Sequence, residues 1–126
     1  RWGSKGVIDD RGDIFYPPPN TLPKDLPIIE AGAGSKKDIL NIFQRLKDDL
    51  QALDLHIKWL RVSRNMAYRL RLNNGIIVDI GDAQVLERFQ RFVRLYPRLI
   101  AGKQAKVKQV DLHYANGLAL QWQESH

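Results

Sequence analysis

The chain of 126 residues carries three histidines, fourteen carboxylates, twenty Lys and Arg side chains and no cysteine as its material for chemistry. His56, His113 and His126 are scattered, without the spacing that metal ligation needs. Ser35, Ser63 and Ser125 sit in no nucleophile-elbow context. The lack of cysteine removes disulfides, thiolate catalysis and Cys-based zinc sites. Asp9, Asp10 and Asp13 lack the spaced oxygen ligands of a calcium loop. The run Gly32-Ala33-Gly34-Ser35-Lys36-Lys37 has the residues of a phosphate loop but not its G-x-x-x-x-G-K spacing, and reads as a helix-capping loop. Arg11-Gly12-Asp13 matches a short adhesion tripeptide but reads as a tight hairpin turn. These residues predict no catalytic centre, no metal and no cofactor.

What remains is charge and edge. Net charge is +6 and the sequence pI is about 9.8, which favours acidic partners or anionic surfaces. Arg91, Arg94 and Arg98 fall opposite Phe89, Phe92 and Tyr96 on one predicted helix, with Arg88 on the flank and Lys103, Lys106 and Lys108 beyond. This face reads as solvated or as a docking surface for an acidic partner or anionic lipid heads. No helix-turn-helix, RNP-type aromatic motif or zinc finger accompanies the charge, so no nucleic-acid partner is expected.

The last stretch, Val110-Asp111-Leu112-His113-Tyr114-Ala115-Asn116-Gly117-Leu118-Ala119-Leu120-Gln121-Trp122, reads as a β-hairpin. Asn-Gly between apolar runs is a strong turn signal, because both residues tolerate positive φ. A three-residue loop, 115–117, would pair Tyr114 with Leu118, Leu112 with Leu120 and Val110 with Trp122. All six apolar residues then share one face, and Gly117 holds a left-handed position. The final strand would lie at a sheet edge, and a free edge is a template for another chain's strand.

The same logic repeats upstream. Tyr68, Leu70 and Leu72 alternate with Arg69 and Arg71, and Asn73-Asn74-Gly75 leads into Ile76, Val78 and Ile80. Here a three-residue loop pairs Leu72 with Ile76, Leu70 with Val78 and Tyr68 with Ile80. Near the start, a loop over Asp10, Arg11 and Gly12 sets Ile8 against Ile14. Residues 57–62 are a further strand.

Two amphipathic helices complete the pattern. The first is capped by Ser35, with Asp38 at its amides and Ile39, Phe43, Leu46, Leu50 and Leu53 as its stripe. The second is expected from Asp82, with Val85, Phe89, Phe92 and Tyr96 inward and Pro97 at its end. Residues 16–34 read as a Pro-rich connector around Pro17, Pro18, Pro19, Pro23 and Pro27, packed through Leu22, Leu26, Ile28 and Ile29. The predicted class is α+β: an antiparallel sheet built from hairpins, two amphipathic helices and a C-terminal edge strand.

Hydrophobic residues make up 44% and charged residues 27%, ordinary for a globular domain. No apolar run approaches the roughly 20 residues that span a bilayer. A chain that opens on Arg1 without Met reads as a piece of a longer protein.

Several segments, in order, resemble the FtsQ/DivIB family of bacterial cell-division proteins. The C-terminal block is similar to that family's V/I-D-L-R-Y-x-x-G-x-A-V-x-W. Arg1-Trp2, Val7-Ile8-Asp9 and Gly12-Asp13-Ile14-Phe15 resemble its opening segment. Leu26-Pro27 with Gly34 resembles L-P-x-L-x-G, Leu70 to Gly75 resembles L-x-L-x-N-G, and Leu86-Arg88-Phe89 resembles R-L-x-R-F. Two positions depart from the pattern. His113 stands where the family usually has Arg, and Ser63-Arg64-Asn65-Met66-Ala67-Tyr68 stands for S-x-R-x-A-W, its Arg displaced or replaced by Asn65. A charge pair made by histidine at position 113 would depend on pH.

The resemblance implies one β domain over residues 1–126, with 1–34 as opening hairpin and connector. The domain would come from a longer protein anchored in the inner membrane by a single helix, and would lie on the periplasmic side. It implies no enzymatic activity. It implies a divisome scaffold at the septum whose last strand accepts a strand from FtsB, in an FtsQ–FtsB–FtsL complex. The strand-pairing positions carry over to Tyr114, Gly117, Leu118, Ala119, Leu120, Gln121 and Trp122. Further partner-binding charges are Arg64, Arg69, Arg91, Arg94, Arg98 and His113. The alternative from another class is a basic electrostatic module for a polyanion, either nucleic acid or anionic lipid, which predicts steep salt dependence.

Overall fold

A computed structural model describes the backbone at residues 6–8 and 14–15 and the chain from 27 to 123. Among these residues one mixed sheet of eight strands runs in the order β2-β1-β3-β4-β5-β6-β7-β8. The strands are β1 (Gly6–Ile8), β2 (Ile14–Phe15), β3 (Ile28–Ala31), β4 (Ile57–Val62), β5 (Tyr68–Leu72), β6 (Ile77–Gly81), β7 (Val107–Asp111) and β8 (Ala119–Trp122). The helices are α1 (Lys36–Leu50) and α2 (Val85–Leu99). The α+β class and the C-terminal edge strand match the expectation. The sheet is not wholly antiparallel: β3 runs parallel to β4 and β6 parallel to β7. Local alternation marks strands, but it does not encode which distant strand lies alongside.

Those two parallel pairs explain where the helices go. Each pair is closed by one helix, giving β3-α1-β4 and β6-α2-β7 units. The antiparallel steps from β4 to β5 and β5 to β6 leave β3, β4, β6 and β7 pointing the same way. Both crossovers advance in the same direction along the sheet, and crossovers of this kind share one hand. Both helices therefore land on the same face and pack on each other. Among the described residues no helix or strand covers the other face.

The core lies between helices and sheet. Ile39, Phe43, Leu46 and Leu50 of α1 are buried, as are Phe89, Phe92 and Tyr96 of α2. They meet Leu60, Val62, Tyr68, Leu70, Leu72, Val78, Ile80 and Val110 of the sheet. Burying each large side chain is worth about 1.5–3 kcal/mol. Phe92 sits with its ring centroid 5.6 Å from Tyr96, edge-on, a favourable aromatic geometry.

Ser35 caps α1 as expected, its hydroxyl accepting from the Asp38 amide at 3.2 Å. The run 32–37 is thus a capping loop. The central hairpin also follows expectation. Leu70 faces Val78, the Leu72 amide donates to the Ile76 carbonyl at 2.9 Å, and Gly75 has φ of 93°. A bulge then sets Tyr68 against Gly81 rather than Ile80. In the first hairpin Ile8 lies opposite Ile14, while its turn, with Gly12 and Arg11-Gly12-Asp13, lies outside the described residues, as does the Pro-rich run before Pro27.

Three boundaries differ. Ile28–Ala31, placed in the connector, is strand β3. Helix α2 begins at Val85 rather than Asp82, because Gly81 and Gln84 both take left-handed backbone, with φ of 91° and 49°, before the first turn. Pro97 falls inside the last turn of α2. Its fixed φ suits a helix, and its missing amide costs one bond to the Val93 carbonyl. The helix then closes through the Ile100 amide on the Tyr96 carbonyl at 2.9 Å.

Candidate functional site

Strand β8 pairs with β7 on one side and has no strand on the other among the described residues. Its register differs from the expected one by two residues. Val110 faces Leu120, Asp111 faces Ala119, Gln109 faces Gln121 and Val107 faces Trp122, with a bulge in β7 between Val107 and Gln109. The connecting loop is therefore longer than three residues. Gly117 is not among the positive-φ glycines, which overturns the bulged-turn expectation. Parity survives the shift: Leu118 and Leu120 still pack against the core, half-buried.

A side chain from the helix layer holds this wider loop. The Arg91 guanidinium donates from Nη1 to the Tyr114 carbonyl at 2.6 Å and the Gly117 carbonyl at 3.0 Å, and from Nη2 to the Ala115 carbonyl at 2.7 Å. A wider loop held from outside replaces the turn that Asn-Gly chemistry would build by itself. Arg91 is half-buried, which corrects its expected place on a solvated face. Arg88 is half-buried as well, and donates to the Ile80 carbonyl at 2.8 Å. Arg94 and Arg98 are exposed.

The outward backbone of β8 follows from its pairing. The Gln123 amide donates inward to the Lys106 carbonyl at 2.7 Å. Strand backbone groups alternate sides with period two, so the Gln121 and Ala119 amides also face β7. The amides and carbonyls of Leu120 and Trp122 face outward along the open edge. Tyr114 at 55% and Trp122 at 47% are two of the described exposed large apolar side chains, and they bracket this strand.

On the open sheet face a row of facing residues crosses the fold to the same edge. Glu30 faces Arg61, Arg61 faces Arg69, Arg69 faces Asp79, Asp79 faces Asp111, and Asp111 faces Ala119. Arg61 lies 3.4 Å from Glu30 and stacks over Trp59 at 4.1 Å. Arg69 lies 3.0 Å from Asp79. His113 Nε2 lies 3.3 Å from the other Asp79 oxygen, and its Nδ1 is 3.6 Å from Asp111. Exposed cross-strand pairs of this kind are each worth only about 0.2–1 kcal/mol. Their larger effect is to hold side chains in place. Arg64 is exposed in the β4–β5 turn, and neither it, Arg94 nor Arg98 makes an ion pair among the described residues.

One of these contacts is implicit in the sequence. Pairing Leu70 with Val78 already sets Arg69 opposite Asp79, so that arginine is engaged within the sheet. The Arg91 contact had no local signal, since its partners lie more than twenty residues away in the chain.

A model of the C-terminal region of the cell division protein FtsQ/DivIB matches residues 1–113 of this chain. Over 122 residues the chain is 34% identical to the cell division protein FtsQ of Coxiella burnetii (strain RSA 493 / Nine Mile phase I), covering 97% of this chain and 50% of that protein. It is 30% identical over 122 residues to FtsQ of Methylomonas methanica (strain DSM 25384 / MC09), covering 97% and 49%. It is 29% identical over 126 residues to FtsQ of Escherichia coli (strain K12), covering 97% and 46%. The chain thus spans about half the length of these curated relatives.

Proposed function

The chain belongs to the FtsQ/DivIB family of cell division proteins, and from that premise we propose that it is a non-enzymatic scaffold domain that binds a division partner by adding a strand to β8. Residues 1–126 are read as one β domain of a longer protein, anchored in the inner membrane and facing the periplasm. No described helix is long and apolar enough to cross a membrane. The partner is read as FtsB, with FtsL in the same complex.

The observation that carries this reading is the one-sided pairing of β8, with its Leu120 and Trp122 backbone groups directed outward. An incoming strand would satisfy those groups, and side chains beside them would set specificity. Tyr114, Gly117, Leu118, Ala119, Leu120, Gln121 and Trp122 form the docking segment. Arg64, Arg94 and Arg98 are the charges left for acidic groups of the partner. Arg69 and His113 hold the open face beside the edge. One added strand with a short helical contact would bury roughly 1,000–1,600 Å² in total, consistent with a free energy of about −8 to −10 kcal/mol.

The test is titration of this chain with the C-terminal periplasmic segment of the cognate FtsB, followed by amide NMR. Leu120 and Trp122 amides should slow in exchange on binding. Trp122→Pro, which deletes an outward amide, should abolish binding, while Trp122→Ala retains it in weakened form. Undiminished binding by Trp122→Pro would sink the strand-addition mechanism.

A further inference from the structure

The loop before β8 is held in an unusual way. Among the described residues, no amide or carbonyl of residues 113–118 bonds to another backbone group. Its anchors are the Asp111 carboxylate, which accepts from the His113 amide at 3.0 Å, and Arg91. The guanidinium of Arg91 gathers the carbonyls of Tyr114, Ala115 and Gly117 at 2.6, 2.7 and 3.0 Å. No carboxylate competes for it among the described ion pairs.

Charge-assisted bonds to carbonyls are roughly twice as strong as neutral ones. A planar fork also imposes direction, which a point charge does not. Three carbonyls converging on one fork fix the curvature of the loop. They thereby fix where Leu118 enters the edge strand and where Tyr114 stands beside it. An unanchored seven-residue connection would leave that edge in many arrangements, and a partner would bind only the competent fraction.

We infer that Arg91 is a positioning residue that pre-organises the docking edge from the helix layer, and not a charge offered to the partner. This rests on the strand-addition reading for its consequence, but the clamp itself can be measured without a partner.

The experiment is backbone amide exchange on this chain carrying Arg91→Gln or Arg91→Lys, beside the parent. Ala119 and Gln121, which face β7, should lose protection by about tenfold or more as the edge opens locally. Leu70 and Val78 in the central strands should keep theirs. Lysine should not restore the edge, because an ammonium lacks the fork. With the FtsB segment as probe, both variants should bind at least about tenfold more weakly, with the slope of affinity against salt unchanged.

Unchanged protection at Ala119 and Gln121 would overturn the assignment, and so would full rescue by lysine. Loss of protection at Leu70 and Val78 in step would make Arg91 a support of the whole fold instead. Intact edge protection with a flattened salt slope would make it a partner-contacting charge. Failure of the docking reading is separate: Trp122→Pro would bind normally while the Arg91 variants still lost edge protection.

Discussion

Val110 stands opposite Leu120 across β7 and β8, a pair without direct hydrogen bonds, so the Leu120 amide points away from the sheet. The next amide outward is that of Trp122, and the two between and before them, Gln121 and Ala119, face β7. The free edge and the ladder therefore fall on alternate residues of a four-residue strand.

This alternation gives the first prediction. In the isolated chain the Ala119 and Gln121 amides should be protected from exchange and those of Leu120 and Trp122 should not. Ala119→Pro removes a ladder amide and leaves a carbonyl of β7 unmatched. It should cost about 1–3 kcal/mol in urea denaturation. Trp122→Pro should differ from Trp122→Ala by less than about 0.5 kcal/mol, since it deletes an amide with no internal partner.

The second concerns the exposed arginines of α2. Arg94 and Arg98 make no ion pair among the described residues. Reversing both to Glu should change stability by less than about 1 kcal/mol, as surface substitutions do. Partner binding should weaken, and its dependence on salt should flatten, because two screened charges have been lost. An unfolded double variant would show that this face is structural.

Local chemistry made much of this fold legible, and its limits are instructive. Ser35 and the 4, 3, 4 spacing of Ile39, Phe43, Leu46 and Leu50 marked α1, because cap and stripe are set within a few residues. Asn73-Asn74-Gly75 marked the central hairpin because its turn is closed by its own backbone. Asn116-Gly117 misled because Arg91, from another layer, supplies the bonds that the turn would otherwise make. The parallel pairings of β3 with β4 and β6 with β7 depend on crossovers through α1 and α2, and no residue in either strand announces them. For the candidate site, the edge strand was legible from alternation, whereas its register and its outward amides required the pairing itself.

The third prediction follows from Asp49. Burial raises its carboxyl pKa above the ordinary 3.8, with Arg45 lowering it and Asp48 raising it, and its Oδ2 is buried without a partner among the described residues. A raised folded-state pKa means that the charged form is penalised in the fold. That cost is absent below 3.8, grows as pH rises through the folded-state value, and is complete at neutral pH. Asp49→Asn should therefore stabilise the chain at pH 7. It should also flatten the rise in stability that the parent shows on mild acidification, read as the urea midpoint against pH.

The fourth uses the buried phenols. Tyr68 is fully buried and its hydroxyl has no partner among the described residues, and its pKa is raised from 10.0 by burial and then by Asp38. Tyr96 is raised by burial, offset in part by the bond from Asn74. Folded phenols that hold their protons beyond the unfolded value of 10.0 lose stability as pH climbs from there through the folded-state values. Tyr68→Phe should leave neutral-pH stability unchanged or raise it by up to about 1 kcal/mol, since it deletes an unsatisfied group. It should also blunt alkaline unfolding. Tyr96→Phe should cost about 1 kcal/mol at pH 7, because Asn74 loses its acceptor.

The last prediction separates backbone strain from crowding at two glycines. Gly75 and Gly81 have nearly equal φ, 93° and 91°. A methyl group at Gly75 would meet only the end of Arg71, at 3.8 Å. At Gly81 it would lie 2.8 Å from Arg88 Nη1 and 2.9 Å from the His113 ring. Gly75→Ala should therefore show backbone strain alone, about 1–2 kcal/mol. Gly81→Ala adds displacement of Arg88, which donates to the Ile80 carbonyl, and of His113, which lies against Asp79 and Asp111. Overpacking of this kind costs about 1–3 kcal/mol more. It should also move the His113 ring resonances in the NMR spectrum, which Gly75→Ala should leave in place. Equal losses from the two variants, with His113 undisturbed, would mean that the ring and the guanidinium yield freely and that Gly81 serves the backbone alone.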